Sequence, residues 1–195
     1  MTTSIDVLNF WFGPLTKATD FPKERFKLWF VKDPAVDQEI AEKFGDLLEK
    51  NLSDWAAKPR GRLAQILVFD QFPRHIYRDS PQAFAWDAQA MELTLEGIKA
   101  GIDKKLFPVE RGFFYMPLQH IEDLKIQEAS IEAYSQLVEE APDAVKPFCA
   151  EFLKYARLHQ EVIVRFGRYP HRNKILGRPS IPEEEEFLKQ PGSSF

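Results

Sequence analysis

The chain has 195 residues, 44% hydrophobic and 29% charged, which suits a single folded domain with a full core. A net charge of −4 argues against broad nucleic-acid binding, for which a basic domain is expected. One cysteine, Cys149, excludes an intrachain disulfide and a thiolate-rich metal site, and fits a reducing compartment.

The first residues lack a basic lead and carry Asp6 within their apolar run, so they do not read as a signal peptide. No stretch approaches the ~18–20 apolar residues of a membrane span, and a soluble, cytoplasmic protein is expected. Ser4 reads as the N-cap of a helix to Phe12, stopped by Gly13-Pro14. Pro22 opens a short helix through Phe30. Asp33-Pro34 is a cap followed by proline at the first helical position, and predicts a helix to about Lys50. The segment from Gly61 to Gln71 is apolar nearly all round. With no strand elsewhere to pair with, it reads as a buried helix that ends at Phe72-Pro73.

Ser80-Pro81 starts a long helix closed by Gly101. Pro108 restarts a short helix to Tyr115, Pro117 opens one to about Glu140, and Pro142 opens the last long one. Ser180 and Glu183 fit a capping box for a terminal helix, whose first turn is loaded with acids. The prediction is all-α: a single domain, residues 1–195, of eight to ten helices packed as antiparallel pairs, without recognisable sequence repeats.

Helical phase turns five polar side chains inward. Asp70 continues the Leu63–Ile66–Leu67 face, Asp87 lies between Phe84 and Met91, His120 and Gln127 share a stripe with Leu124 and Ile131, and His159 falls between Tyr155 and Val162. Burying such groups without partners costs several kcal/mol each, on the order of a lost hydrogen bond or more. Arg74, four residues after Asp70, is one cationic partner at hand. A second source is Arg165-Phe-Gly-Arg-Tyr-Pro-His-Arg-Asn-Lys-Ile-Leu-Gly-Arg178, which holds no acid in a chain of 26 basic and 30 acidic residues. Arginine forks at Arg165, Arg168 and Arg172, with His171 beside them, match the planar oxygens of phosphate or carboxylate. The alternative is that these arginines pair with Glu183–Glu186 and the inward acids, purely to hold the chain together.

Other chemistries lack their motifs. His120-Ile-Glu122 is similar to the start of a zinc deaminase site, but the Pro-Cys-x-x-Cys half is missing. There is no His-Glu-x-x-His, no Gly-x-Ser-x-Gly elbow, no Walker loop and no dinucleotide fingerprint. No metal and no cofactor are expected. His120 and His159 with Asp70 or Asp123 form the one combination that separate helices would have to assemble.

Four blocks carry a resemblance: Leu63-Ala-Gln-Ile-Leu-Val-Phe-Asp-Gln-Phe-Pro-Arg74, Ala83-Phe-Ala-Trp-Asp87, Phe114-Tyr-Met-Pro-Leu-Gln-His120-Ile-Glu-Asp, and Arg165-Phe-Gly-Arg-Tyr-Pro-His-Arg-Asn173. With Val7-Leu-Asn-Phe-Trp-Phe they resemble, over essentially the whole chain, the bacterial family known as domain of unknown function 924. The resemblance implies a tetratricopeptide-like right-handed helical array. It implies no activity and no catalytic residue.

The leading expectation is a polar pocket that binds an anionic small molecule or peptide terminus. Arg74, Asp70, Asp87, His120, Gln127, His159, Arg165, Arg168, His171 and Arg172 are its ligand-binding candidates. The second is a hydrolase-type enzyme, with His120, His159 or Asp70 as catalytic candidates and arginines facing the developing charge. The third is a helical adaptor for a protein partner. No nucleic acid and no membrane is expected as partner.

Overall fold

In the computed structural model, which describes residues 2–194, the first helix, α1 (Ser4–Phe12), is capped by Thr3 rather than Ser4. The Thr3 hydroxyl accepts from the Asp6 N–H at 3.3 Å, and the Asp6 carboxylate accepts from the Thr3 N–H at 2.8 Å. The predicted second helix begins as a 3-10 turn and becomes α2 (Phe26–Phe30). Asp33 caps α3 (Pro34–Phe44) as expected, accepting from the Ala35 N–H at 2.9 Å. The continuation to Glu49 tightens into a 3-10 turn at Gly45.

The buried helix is longer than its sequence predicts. α4 runs Pro59–Ile76, straight through Pro73. An interior proline costs ~3 kcal/mol, because it lacks an N–H and crowds the preceding turn. Burial of Phe69, Phe72 and Pro73 on both sides of the break outweighs that local preference. The consequence is register: Asp70 and Arg74 remain four apart on one helical face.

Beyond a 3-10 turn capped by Ser80, α5 (Asp87–Lys99) begins at Asp87, so that carboxylate sits in a first turn and not mid-helix. α6 (Pro108–Phe114) follows. The predicted helix from Pro117 to Glu140 is two: α7 (Met116–His120) and α8 (Leu124–Glu140). Asp123 caps α8 by accepting from the Ile126 N–H at 3.1 Å. α9 (Lys146–Phe166) starts later than Pro142 and ends at Gly167, whose φ of 68° is a left-handed cap. Tyr155, assigned to its apolar face, is 48% exposed. The last helix, α10 (Pro182–Phe187), uses Glu184 and not Glu183 at its third position. Its carboxylate accepts from the Ile181 N–H at 2.9 Å.

Among the described residues there is no strand, and none of the helices is long and apolar enough to cross a membrane. α4 is the hub, packed against α1, α3, α5 and α6. Around it Trp11, Phe12, Trp29 and Phe113 meet edge to face, and the Trp29 indole donates to the Trp11 carbonyl at 2.9 Å. α8 and α9 form an antiparallel hairpin: Tyr134 stacks on Phe152 at 5.7 Å, and Gln127 reaches Tyr169 just past the far end of α9. A smaller core of Val162, Ile163 and Tyr169, with Phe166 and Phe187, seats the chain after Gly167.

Candidate functional site

The break between α7 and α8 is where the polar residues gather. A helix end leaves its last carbonyls without intrahelical donors. Here three side chains from elsewhere supply them. Gln127 Nε2 donates to Ile121 O at 2.8 Å, Tyr169 Oη donates to Gln119 O at 2.5 Å, and Arg172 Nη1 donates to His120 O at 2.9 Å. Gln127 Nε2 also donates to Tyr169 Oη at 2.9 Å. Gln127, fully buried and expected at a ligand, therefore has its amide nitrogen committed to sealing α7.

His120 terminates α7 and faces α4. Its Nδ1 lies 2.6 Å from Asp70 Oδ1, and Asp70 is wholly buried. Gln71 Nε2 donates to the other oxygen of Asp70 at 2.5 Å, and Arg74 stands 3.5 Å from Oδ1. Burial works against the Asp70 charge, but His120 and Arg74 hold its carboxyl down to about 2. Burial, then Arg74, pushes His120 below its ordinary value. A neutral imidazole facing a carboxylate donates from Nδ1, which leaves Nε2 as the proton-accepting nitrogen. Arg74 grips Asp87 with both terminal nitrogens, at 2.8 and 3.0 Å, and donates to Asp70 O at 2.7 Å.

Arg172 sits differently. It is 7% exposed, and its guanidinium lies between the rings of Phe84, at 4.6 Å, and Tyr169, at 4.5 Å. Its nearest carboxylate, Asp87, is 3.6 Å away. Among the described residues it makes one hydrogen bond, that to His120 O, and its Nε is buried without a partner. A guanidinium carries five N–H donors, so most of this one is unused. Burial, then Arg74, lowers it to about 10, which still leaves it charged at neutral pH.

The other imidazoles adjoin it. The His159 and His120 ring centres are 6.2 Å apart, His159 is 5.6 Å from Tyr169, and Tyr169 is 5.6 Å from His171. His159 Nδ1 donates to Tyr155 O at 2.8 Å. Burial, then His120 and Arg172, takes His159 down to about 3; burial, then Arg172, takes His171 down to about 4.

Two predicted members are not brought in. Arg165 is exposed, with its guanidinium over the Phe166 and Phe187 rings. Arg168 forks onto Glu184 at 2.6 and 2.8 Å, which is the chain-holding role weighed above. Glu184 is 1% exposed and also accepts from Asn173 at 3.0 Å. Sequence reasoning missed Glu122 and Arg178. Glu122 accepts from Arg178 at 2.6 and 2.9 Å and from the Tyr169 N–H at 2.8 Å, locking the returning chain over the break. The signal available was Arg178 at the end of the basic stretch.

Among the described residues, no three His, Cys, Asp or Glu side chains gather as a metal site. Two surface hollows, about 570 and 400 Å³, are lined chiefly from α1, α3, the 3-10 turn around Trp55 and the start of α4, and none of the cluster residues borders them. The cluster itself is a set of buried, mutually oriented polar groups. It offers an aligned Asp70–His120 pair and an under-used guanidinium next to it.

Residues 7–192 match the family described as "Bacterial protein of unknown function (DUF924)". A solved structure, that of a protein of unknown function, ATU0120, from Agrobacterium tumefaciens, is similar at a TM-score of 0.78 and 31% identity. The match covers 95% of this chain and 96% of that one. No curated protein matches.

Proposed function

The chain belongs to the bacterial DUF924 family, which carries no assigned activity, and from the geometry we propose that it binds a small anion at Arg172. The observation that carries this is a guanidinium 7% exposed, held between two aromatic rings, with a single hydrogen bond among the described residues. Arg74, Arg168 and Arg178 each fork onto a carboxylate; Arg172 does not. A bound carboxylate or phosphate would fill the fork and replace the long approach to Asp87. Asp70, Asp87, Arg74, His120, His159 and His171 form the wall that orients it.

The test is a thermal-shift series with sulfate, phosphate and small carboxylates on the wild type and on Arg172→Met. An anion at a hundred times its dissociation constant adds about 2.7 kcal/mol to the wild type and nothing to the variant. If no anion raises the wild-type transition above that of the variant, Arg172 is a packing residue.

A second reading rests on the 2.6 Å Asp70–His120 contact. An imidazole oriented by a carboxylate is a general base, and Arg172 beside it would face negative charge developing on a substrate, as in a hydrolase. His120→Gln tests this second reading: it abolishes turnover of a carboxyl or phosphate ester by the wild type, and a wild type that turns over neither ester overturns it. We place the protein in the cytoplasm and read its helices as a tetratricopeptide-like array. The buried free thiol of Cys149 and the α8–α9 hairpin support these two points.

A further inference from the structure

Far from the polar cluster, the outer face of α2 alternates cations with aromatic rings. Lys23, Phe26, Lys27 and Phe30 recur at three- and four-residue spacing from the preceding 3-10 turn through α2, so they share one side. Trp29 points the other way, is buried, and anchors the helix through its bond to the Trp11 carbonyl. Phe26 and Phe30 are 49% and 47% exposed, and their rings meet at 5.0 Å. Val31, next to them, is 49% exposed. Phe30 also stacks on the buried Phe113 at 6.3 Å, so the aromatic core runs out to the surface here. Among the described residues, no other stretch of six positions leaves three large apolar side chains this open. A contiguous apolar patch on a folded domain marks a place where something else packs.

The rim of the patch has one sign of charge. Residues 23–32 carry Lys23, Arg25, Lys27 and Lys32 against Glu24, in a chain whose net charge is −4. Among the described residues Lys23, Arg25 and Lys27 enter no ion pair, and Lys32 makes one, a 3.4 Å approach to Asp79 with both ends largely in water. The flanking acids are committed elsewhere: Asp20 accepts from the Thr16 and Lys17 N–H groups, and Asp33 caps α3. An apolar centre rimmed by cations is complementary to an apolar stripe rimmed by carboxylates.

We propose that this face docks a short acidic, amphipathic helix of a partner protein. Its apolar side chains would cover Phe26, Phe30 and Val31, and its carboxylates would meet Lys23 and Lys27. Two other occupants fit less well. A second copy of the chain, placed symmetrically on the same patch, would set cations against cations. An anionic lipid surface would attract the run but repel the acidic remainder of the chain. A single acidic segment meets the cations without facing that remainder.

A display selection of random peptides on the full chain, counter-selected on the Phe26→Ser, Phe30→Ser double variant, reads the partner's chemistry directly. The expected winners are rich in Asp and Glu and place apolar residues at three- and four-residue spacing. Their affinity should fall about thirtyfold in the double variant, as for a central aromatic anchor, and about tenfold in Lys27→Glu. It should also weaken as salt rises from about 0.05 to about 0.5 M. Lys27→Glu keeps both rings, so it decides the matter even if the double variant fails to fold. Selection of no peptide that prefers the wild type, of peptides without an acidic excess, or of peptides indifferent to Lys27→Glu overturns the proposal. Two further measurements can overturn it in favour of another occupant. One is co-sedimentation of the wild type, but not of Lys27→Glu, with vesicles of phosphatidylserine and phosphatidylcholine. The other is self-association in analytical ultracentrifugation that the same substitution abolishes.

Discussion

Asp70 and His120 are 50 positions apart in sequence, and their Oδ1 and Nδ1 atoms are 2.6 Å apart in the fold. The bond joins the hub helix to the end of α7. Asp70→Asn keeps the shape and removes the charge that His120, Arg74 and Gln71 are arranged around. The expected cost is about 3 kcal/mol in urea unfolding at neutral pH, in the range for breaking a buried pair. The carboxyl lies at about 2 in the fold, against about 3.9 when unfolded. Its contribution is thus complete above pH about 4 and disappears as pH falls through the folded value. Wild type and Asp70→Asn should converge in acid.

The histidines act earlier on the pH scale. His159 is held at about 3 in the fold and returns to about 6.5 when unfolded. The unfolded chain therefore binds its proton first. Stability is full above pH about 6.5 and declines as pH falls toward the folded value. At pH 5 the loss from this residue is about 2 kcal/mol. His159→Leu should show a shallower decline between pH 7 and 5 than the wild type, measured by denaturant titration at each pH.

Gln127 should matter for stability and not for ligand. Gln127→Leu strips donors from the α7 carbonyls and from Tyr169 while keeping most of the volume. We expect a loss of about 2–4 kcal/mol, because buried acceptors are left open. Sulfate affinity per folded molecule should be unchanged. A lower affinity with unchanged stability would place Gln127 at the ligand instead.

Glu184→Gln tests the clasp on the returning chain. Glu184 accepts from Arg168, Asn173 and Ile181 N–H, and its carboxyl is held at about 2, chiefly by Arg168. The neutral amide keeps the shape and loses the charge. Amide hydrogen exchange should accelerate across 168–188 while α4 stays protected. Equal acceleration in α4 would mean that the clasp supports the whole fold.

Much of this was readable from helical phase. Asp70, Asp87, Gln127 and His159 are buried as their spacing requires, because a side chain three or four positions from core residues shares their face. Pro73 misled, because a rule about local sterics yields to packing that spans the molecule. The α7–α8 break was hidden because the stripe from His120 through Leu124 to Gln127 continues across it. The cue was Asp123, a good cap placed three residues before Ile126. Arg165 and Arg168 show the limit of charge density as a signal. A run of cations does not reveal which one meets a carboxylate, and Glu184 lies 16 residues beyond Arg168.

The seal on α7 also sets an order of events during synthesis. The groups that close its carbonyls arrive with Gln127, Tyr169 and Arg172, the last of them 52 positions after the carbonyl it serves. A nascent chain that has emerged only as far as α8 holds α4, α5, α6 and the Gln127 amide, but the His120 carbonyl still lacks Arg172. The Asp70–His120 joint is set on a helix end whose seal is completed only when the following hairpin has formed and the chain has turned back at Gly167. Long-range closures of this kind come late in folding. A chain shortened before Tyr169 would therefore carry the Asp70–His120 pair on a helix end that lacks two of its three seals.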